Sequence, residues 1–227
     1  MNKGLFITGT GTDVGKTYIT ALLIKKLREH GTNCGYYKAA ISGANSIGES
    51  DAGYVNRMAK INQVEETLLS YLYKSPVSPH LAAQIEGNPV DIHKVYDDYL
   101  KVCNTYDRVV VEGSGGIVCP IRFDEIEQIM LYDIVKLLNI PSLIVADAGL
   151  GTINSTVLTI EYLKQRKLPV AGVILNHYCG NRMKQDNIKM IEQLTNIKVI
   201  GTVEENATSL DMEVEHIVSL FECGGLV

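Results

Sequence analysis

The stretch Gly9 to Thr17 reads GTGTDVGKT and sits between a short apolar run, Gly4 to Thr8 (GLFIT), and a helical pattern that begins at Thr17. Nothing else in the chain restricts the fold so sharply. Apolar residues at Ile19, Leu22, Leu23 and Leu27 recur at helical spacing towards His30, and Gly31 supplies a stop. A glycine-rich turn between a buried strand and a helix points successive backbone N–H groups inward. The positive end of the helix adds to them, and the loop cradles phosphate oxygens. Lys16 would reach the β- and γ-phosphates and the Thr17 hydroxyl would ligate Mg²⁺. The strict G-x-x-x-x-G-K-[ST] spacing would put its first glycine at position 10, which is Thr10; Gly9 lies one residue earlier. With a strand before it and an amphipathic helix after it, the loop still points to nucleoside triphosphate binding.

The rest of the chain repeats a strand–helix rhythm. Cys34 to Lys38 reads as a second strand, and Asp51 as the cap of a helix through Met58. Arg108 to Glu112, Ser142 to Asp147, Ala171 to Asn176 and Lys198 to Val203 read as further strands, with helices over Thr152 to Gln165 and Arg182 to Thr195. The strands are almost continuously apolar, as expected where both faces of a sheet are covered. The expectation is an α/β fold of the P-loop NTPase type: a mostly parallel sheet flanked by helices on both faces, in one domain spanning residues 1–227. Ile61 to Thr105 breaks the rhythm. It holds the rigid turn Ser75-Pro76-Val77-Ser78-Pro79-His80 and helices near Leu81 to Glu86 and Ile92 to Asn104, and reads as an insertion flanking the site.

Composition narrows the partners. Twenty-one Lys and Arg against 26 Asp and Glu give a net charge of −5, with no basic stretch, which disfavours nucleic acid as a ligand. Five widely spaced cysteines without a C-x-x-C pair suggest neither a disulfide framework nor a zinc site. No apolar run approaches membrane-spanning length, and Met1 to Gly4 leads straight into a strand without a signal-peptide pattern. A cytoplasmic protein with no membrane partner is expected.

Several residues share one edge of this sheet. In a parallel sheet every strand's carboxyl end opens on the same side, where ligands bind. Thr17, Lys38, Glu112, the segment Gly149 to Asn154, and Asn176 all follow expected strand ends. Glu112, followed by Gly113-Ser114-Gly115-Gly116, suits a metal-binding carboxylate, or else an acidic turn residue. Asp51 suits the metal sphere or a plain helix cap. Lys38 suits charge neutralisation on a transferring phosphoryl group, or a solvated strand end. His80 is a candidate pocket residue, whereas His30, His93 and His216 read as surface residues.

Together these motifs resemble the dethiobiotin synthetase family over nearly the whole chain. The resemblance is carried by Thr8 to Thr17, by Gly35-Tyr36-Tyr37-Lys38 with Ser42-Gly43, and by Ser50-Asp51-Ala52 and Ser78-Pro79-His80. Val111 to Gly116, Leu150-Gly151-Thr152-Ile153-Asn154 and Ala171 to Asn176 complete it. The family's earlier glycine also accounts for Gly9. The resemblance implies an ATP-dependent cyclo-ligase that joins 7,8-diaminononanoate (7,8-diaminopelargonate) and CO₂ or bicarbonate into dethiobiotin, with ATP as cosubstrate and Mg²⁺ as cofactor. It implies that Thr17, Asp51 and Glu112 hold Mg²⁺, that Asp13, Val14, Gly15, Lys16, Thr17 and Tyr18 wrap the triphosphate beside Gly113, Ser114 and Gly115, and that Asn176 meets the base. Catalytic roles fall to Thr12, Lys16 and Lys38. Ser42 would touch the substrate, and Leu150, Thr152, Ile153 and Asn154 would reach across a homodimer to its carboxylate.

Two departures stand out: Ala39 replaces the usual proline, and Glu204-Glu205-Asn206 replaces a proline-containing base-recognition turn. The second leads to an expectation of loose base preference. Rival readings fit less well. A partitioning or septum-site ATPase would carry an extra lysine in Gly9 to Val14 and a basic amphipathic tail; a cobyrinate-diamide-synthase relative would need a glutaminase domain; a nucleotide kinase would want an arginine-rich lid.

Overall fold

The protein is described by a computed structural model over residues 3–222. Its strands are β1 (Gly4–Gly9), β2 (Cys34–Ser42), β3 (Leu69–Tyr73), β4 (Arg108–Gly116), β5 (Pro120–Phe123), β6 (Gln128–Met130), β7 (Ser142–Asp147), β8 (Val170–Asn176) and β9 (Val199–Thr202). Its helices are α1 (Lys16–Glu29), α2 (Asp51–Met58), α3 (Pro79–Glu86), α4 (Ile92–Thr105), α5 (Leu131–Leu138), α6 (Thr152–Gln165), α7 (Arg182–Thr195) and α8 (Val214–Leu220). Seven strands form one sheet in the order β3-β2-β4-β1-β7-β8-β9, and every pairing in it is parallel. β5 and β6 form a separate antiparallel hairpin.

Strand alternation divides the core in two. Leu5, Ile7, Val110, Leu143, Val145 and Ile174 pack on the side covered by α1, α2 and α8. Phe6, Val109, Val111, Ile144, Val173 and Leu175 pack on the opposite side with α4, α5, α6 and α7. A side-chain period of two therefore buries consecutive apolar residues on opposite faces of one strand. The expected three-layer α/β architecture is present.

The structure corrects four boundaries. β2 runs on from Lys38 to Ser42, and β4 from Glu112 to Gly116, because each is held by strands on both sides. Lys38 and Glu112 are therefore within their strands, not beyond them, and face each other as register partners. Asp51 is the first residue of α2; the cap position belongs to Ser50. Residues 61–105 are not merely an insertion: Leu69–Tyr73 supplies the edge strand of the main sheet, parallel to β2.

Candidate active site

The site opens where β1 gives way to α1. Gly9 ends β1, and a Cβ there would meet the Gly11 carbonyl oxygen at 2.8 Å and the Val14 side chain at 2.9 Å. The early glycine is thus required by the close return of the loop over the strand end. Gly15 precedes α1 at φ 92°, and a Cβ on it would overlap the Asn176 amide. The Lys16 ammonium folds back onto the Gly11 carbonyl at 3.0 Å. Burial, and then the neighbouring Lys38, hold its pKa below the ordinary lysine value.

The second half of the site comes from β2 and β4. Tyr36 and Lys38 are two residues apart on β2, so their side chains leave one face together, and that face meets Glu112 on β4. Lys38 Nζ donates to Glu112 Oε1 at 2.9 Å and to Asp51 Oδ2 at 2.6 Å. Thr17 Oγ1 donates to the same Glu112 Oε1 at 2.7 Å, and the Tyr36 hydroxyl to Oε2 at 3.1 Å. The Lys38 and Glu112 side chains are 5% and 0% exposed, so the pair lies out of water. Burial alone would lower the Lys38 pKa, but Glu112 and Asp51 overturn it and raise the value. Lys38 in turn outweighs the desolvation of Asp51 and lowers that carboxylate. Burial and the adjacent Glu112 push the Tyr36 hydroxyl well up, so it stays a donor.

Asp51 and Glu112 thus turn carboxylate oxygens to one cation, the Lys38 ammonium, and the Thr17 hydroxyl joins them through the shared Glu112 Oε1. A hydroxyl and two carboxylates are hard oxygen donors of the kind Mg²⁺ takes together with substrate phosphates, and the donor set fits that ion.

These groups line a cleft of about 1040 Å³, whose walls include Thr12, Asp13, Tyr18, Ser42, Ser114 and Gly115. Pro76, Val77, Ser78 and Pro79 form its rim, so the rigid turn does flank the site; His80 is not among the lining residues. Ser114 Oγ donates to the Ala40 carbonyl at 2.7 Å and ties β4 to β2 beside the cleft. Gly113, within β4, turns towards Phe6 and Leu131 and does not line the cleft. Val14 and Asn176 also lie outside its lining, but Asn176 Nδ2 donates to the Val14 carbonyl at 3.2 Å and holds the loop from the far side.

The segment expected to hold the substrate carboxylate is elsewhere. Leu150 is 94% exposed, and none of Leu150, Thr152, Ile153 and Asn154 lines this cleft. Asn154 instead lines a smaller hollow behind the loop, with Thr12, Cys119 and the exposed Leu158. Two features were not foreseen from the sequence. Tyr36 stands in the sequence only as part of a motif, and the contact of His177 with Asp147, at 2.6 Å, joins residues thirty positions apart with no motif to connect them.

The fold and the loop define a P-loop nucleotide-binding α/β protein, and comparisons with known proteins agree. The AAA domain family model matches residues 3–213. A plasmid partition protein from Borrelia burgdorferi superposes with a TM-score of 0.60 at 14% identity, over 97% of each chain. The MinC:MinD cell division complex of Aquifex aeolicus gives 0.58 at 19%, over 95% of this chain and 85% of that one. At such identities the likeness is one of fold alone. Sequence relatives are far nearer. The ATP-dependent dethiobiotin synthetase of Brachyspira hyodysenteriae is 53% identical over 98% of this chain and 100% of its own length, and that of Clostridium botulinum is 46% identical over 98% and 99%. The chain belongs to the ATP-dependent dethiobiotin synthetase family.

Proposed function

We propose that this chain converts 7,8-diaminononanoate, CO₂ and ATP into dethiobiotin, ADP and phosphate. The observation that carries the chemistry is the Thr17–Lys38–Asp51–Glu112 cluster at the mouth of the phosphate loop. One amine of the diamine takes up CO₂ as a carbamate, and the carbamate oxygen attacks the γ-phosphate. The second amine then attacks the resulting carbamic–phosphoric anhydride, closes the urea ring and releases phosphate. Carbamate and polyphosphate are both anions, so their approach needs fixed positive charge. Lys16 and Lys38 supply it, and the inward N–H groups of residues 12–18 orient the triphosphate. Thr17, Asp51 and Glu112 would hold Mg²⁺, which neutralises phosphate charge when bound. Lys38, released from its carboxylates, would then be free to face the reacting oxygens. Ser42 lies on the same wall and suits contact with the diamine.

We place the carboxylate of the diamine at the start of α6 in a second copy of the chain. The N-terminal N–H groups of α6 suit an anion, Gly151 caps that end without a side-chain hydrogen bond, and the adjacent Leu150 is almost fully exposed. A homodimer would bring the segment into a partner's cleft. The chain would act as one unit in the cytoplasm, without nucleic acid or membrane; no helix among the described residues is long and apolar enough to cross a bilayer. Phosphate release from Mg·ATP, with the diamine and bicarbonate omitted in turn, tests the proposal. Release that needs both, with dethiobiotin detected by mass spectrometry, supports it. Hydrolysis indifferent to the diamine would favour a nucleotide switch and overturn it.

A further inference from the structure

The side of β2 that faces β3 is covered only in part. Pairing with β3 begins at Lys38, opposite Leu69, so among the described residues Cys34 to Tyr37 have no strand partner there. Tyr36 is fully buried, and backbone groups left unpaired in such a place are costly. Gln63 fills the gap. Its Oε1 accepts the Tyr36 N–H at 3.0 Å, and its Nε2 donates to the Tyr36 carbonyl at 2.9 Å and to the Thr67 carbonyl at 3.2 Å. Backbone groups have fixed polarity, so these partners settle which way round the amide lies. An amide carries a donor and an acceptor side by side, and this one, 4% exposed, stands in for a residue of the missing strand.

The backbone of the same residue holds α2. The Gln63 N–H donates to Asn56 Oδ1 at 3.0 Å, and Asn56 Nδ2 donates to the Gln63 carbonyl at 2.9 Å. The buried face of α2 consists of Ala52, Gly53 and Val55, which offer little apolar surface. Apolar contact has no direction, whereas hydrogen bonds have a set length and angle. The position of α2 over the sheet is therefore fixed by the Asn56–Gln63 pair more than by packing.

Both elements tied by Gln63 carry the charge cluster. α2 begins with Asp51, while β2 holds Lys38 and also Tyr36, whose hydroxyl donates to Glu112 Oε2. We propose that Gln63 is a positioning residue for the metal-binding end of the site. Its side chain fixes β2 at Tyr36 and its backbone fixes α2 at Asn56, so the Asp51 and Glu112 carboxylates keep the spacing that one cation needs. This rests on the proposed metal role of Thr17, Asp51 and Glu112; what it adds is the residue that sets their separation. Groups that orient metal ligands without touching the metal commonly govern its affinity.

Mn²⁺ with ADP and the full chain is the probe, followed by loss of the free ion's electron paramagnetic resonance signal. Gln63→Leu keeps the bulk and removes the amide. It should weaken Mn²⁺ binding about tenfold and raise the Mg²⁺ concentration for half-maximal turnover alike, with the KM for the diamine little changed. Asn56→Ala cuts only the link to α2 and should weaken Mn²⁺ binding a few-fold. Ile217→Ala is the control: it opens the core at α8, away from the partners of Gln63, and should lower the melting temperature without changing Mn²⁺ binding. Wild-type Mn²⁺ affinity in Gln63→Leu would overturn the inference, as would an equal loss of affinity in Ile217→Ala. Should Gln63→Leu fail to fold, Asn56→Ala decides: weaker binding supports the inference and unchanged binding overturns it. The readout needs no diamine, so Mn²⁺ binding without dethiobiotin formation would overturn the proposed reaction and leave the role of Gln63 standing.

Discussion

The two ends of the proposed site are built differently. The phosphate end is enclosed: Lys38 and Glu112 are buried register partners in the middle of the sheet, and Thr17, Tyr36 and Asp51 converge on them from α1, β2 and α2. The carboxylate end is open: Leu150 stands 94% exposed at a helix start that no side chain caps. On the proposed reading, one chain assembles its own charge-handling machinery, and a second copy completes the substrate pocket. Buried ionic clusters need a rigid frame on every side, which a parallel sheet provides. A helix start needs only an anion in front of it, and that anion can belong to a ligand held between two copies.

This contrast can be broken or sharpened by substitution. The largest effect is expected at Lys38. Lys38→Met should lower product formation about a thousandfold, as loss of a group aimed at developing charge does. It should also destabilise the fold by about 3 kcal/mol, because Glu112 stays buried without its cation. Turnover assays and urea titration read the two effects; wild-type activity in this variant would remove Lys38 from the mechanism. At the open end, Asn154→Asp should raise the KM for the diamine by about a hundredfold through repulsion of its carboxylate, at least as strongly as a lost charge-assisted bond. Stability should not fall, since an acidic residue in a helix's first turn is favourable. Failure to move that KM would detach α6 from the substrate.

Tyr36→Phe should have a smaller effect. It removes one donor to Glu112 Oε2 and should raise the Mg²⁺ concentration for half-maximal activity about tenfold, with the melting temperature modestly lower. An unchanged Mg²⁺ dependence would show that Tyr36 does not orient the carboxylate. The mildest effect concerns pH. The Asp51 pKa is depressed below 3.8, so its contribution is present above that value and is lost as pH falls through the lower folded value. The Lys38 pKa is raised above 10.5, so its contribution is present below that value and is lost as pH rises through the higher folded value. Stability should therefore be flat between these limits, and Lys38→Met should soften both edges. Identical pH–stability curves for the two proteins would contradict the assignment.

The phosphate loop of the enclosed end is the most legible part of the sequence. GTGTDVGKT between an apolar strand and a periodic helix announces its own geometry, and β7, α6, β8 and α7 carry clear patterns. Legibility failed where tertiary pairing overrides local preference. Ala39-Ala40 and Gly113 to Gly116 have weak strand propensity, yet they continue β2 and β4 because neighbours flank them on both sides. β3, the five-residue edge strand LSYLY, alternates buried with half-buried residues but lies inside a segment that looked irregular. The β5–β6 hairpin, α5 and α8 were not anticipated; a three-residue strand such as Gln128–Met130 is too short to show a period. His177 was invisible because its partner Asp147 is adjacent only through strand register, which no local pattern encodes.

The most direct test of a site divided between two copies is to mix two disabled variants. Lys38→Met lacks the phosphate end, and Asn154→Asp lacks the carboxylate end. If each cleft takes its α6 start from the other chain, random re-pairing yields mixed dimers with one wild-type site each. With the diamine near the wild-type KM, far below that of Asn154→Asp, dethiobiotin formation should then return to about a quarter of the wild-type rate, as two-fold symmetry and random pairing require. A mixture no more active than the sum of its parts, with subunit exchange demonstrated, would mean that each chain supplies both ends of its own site.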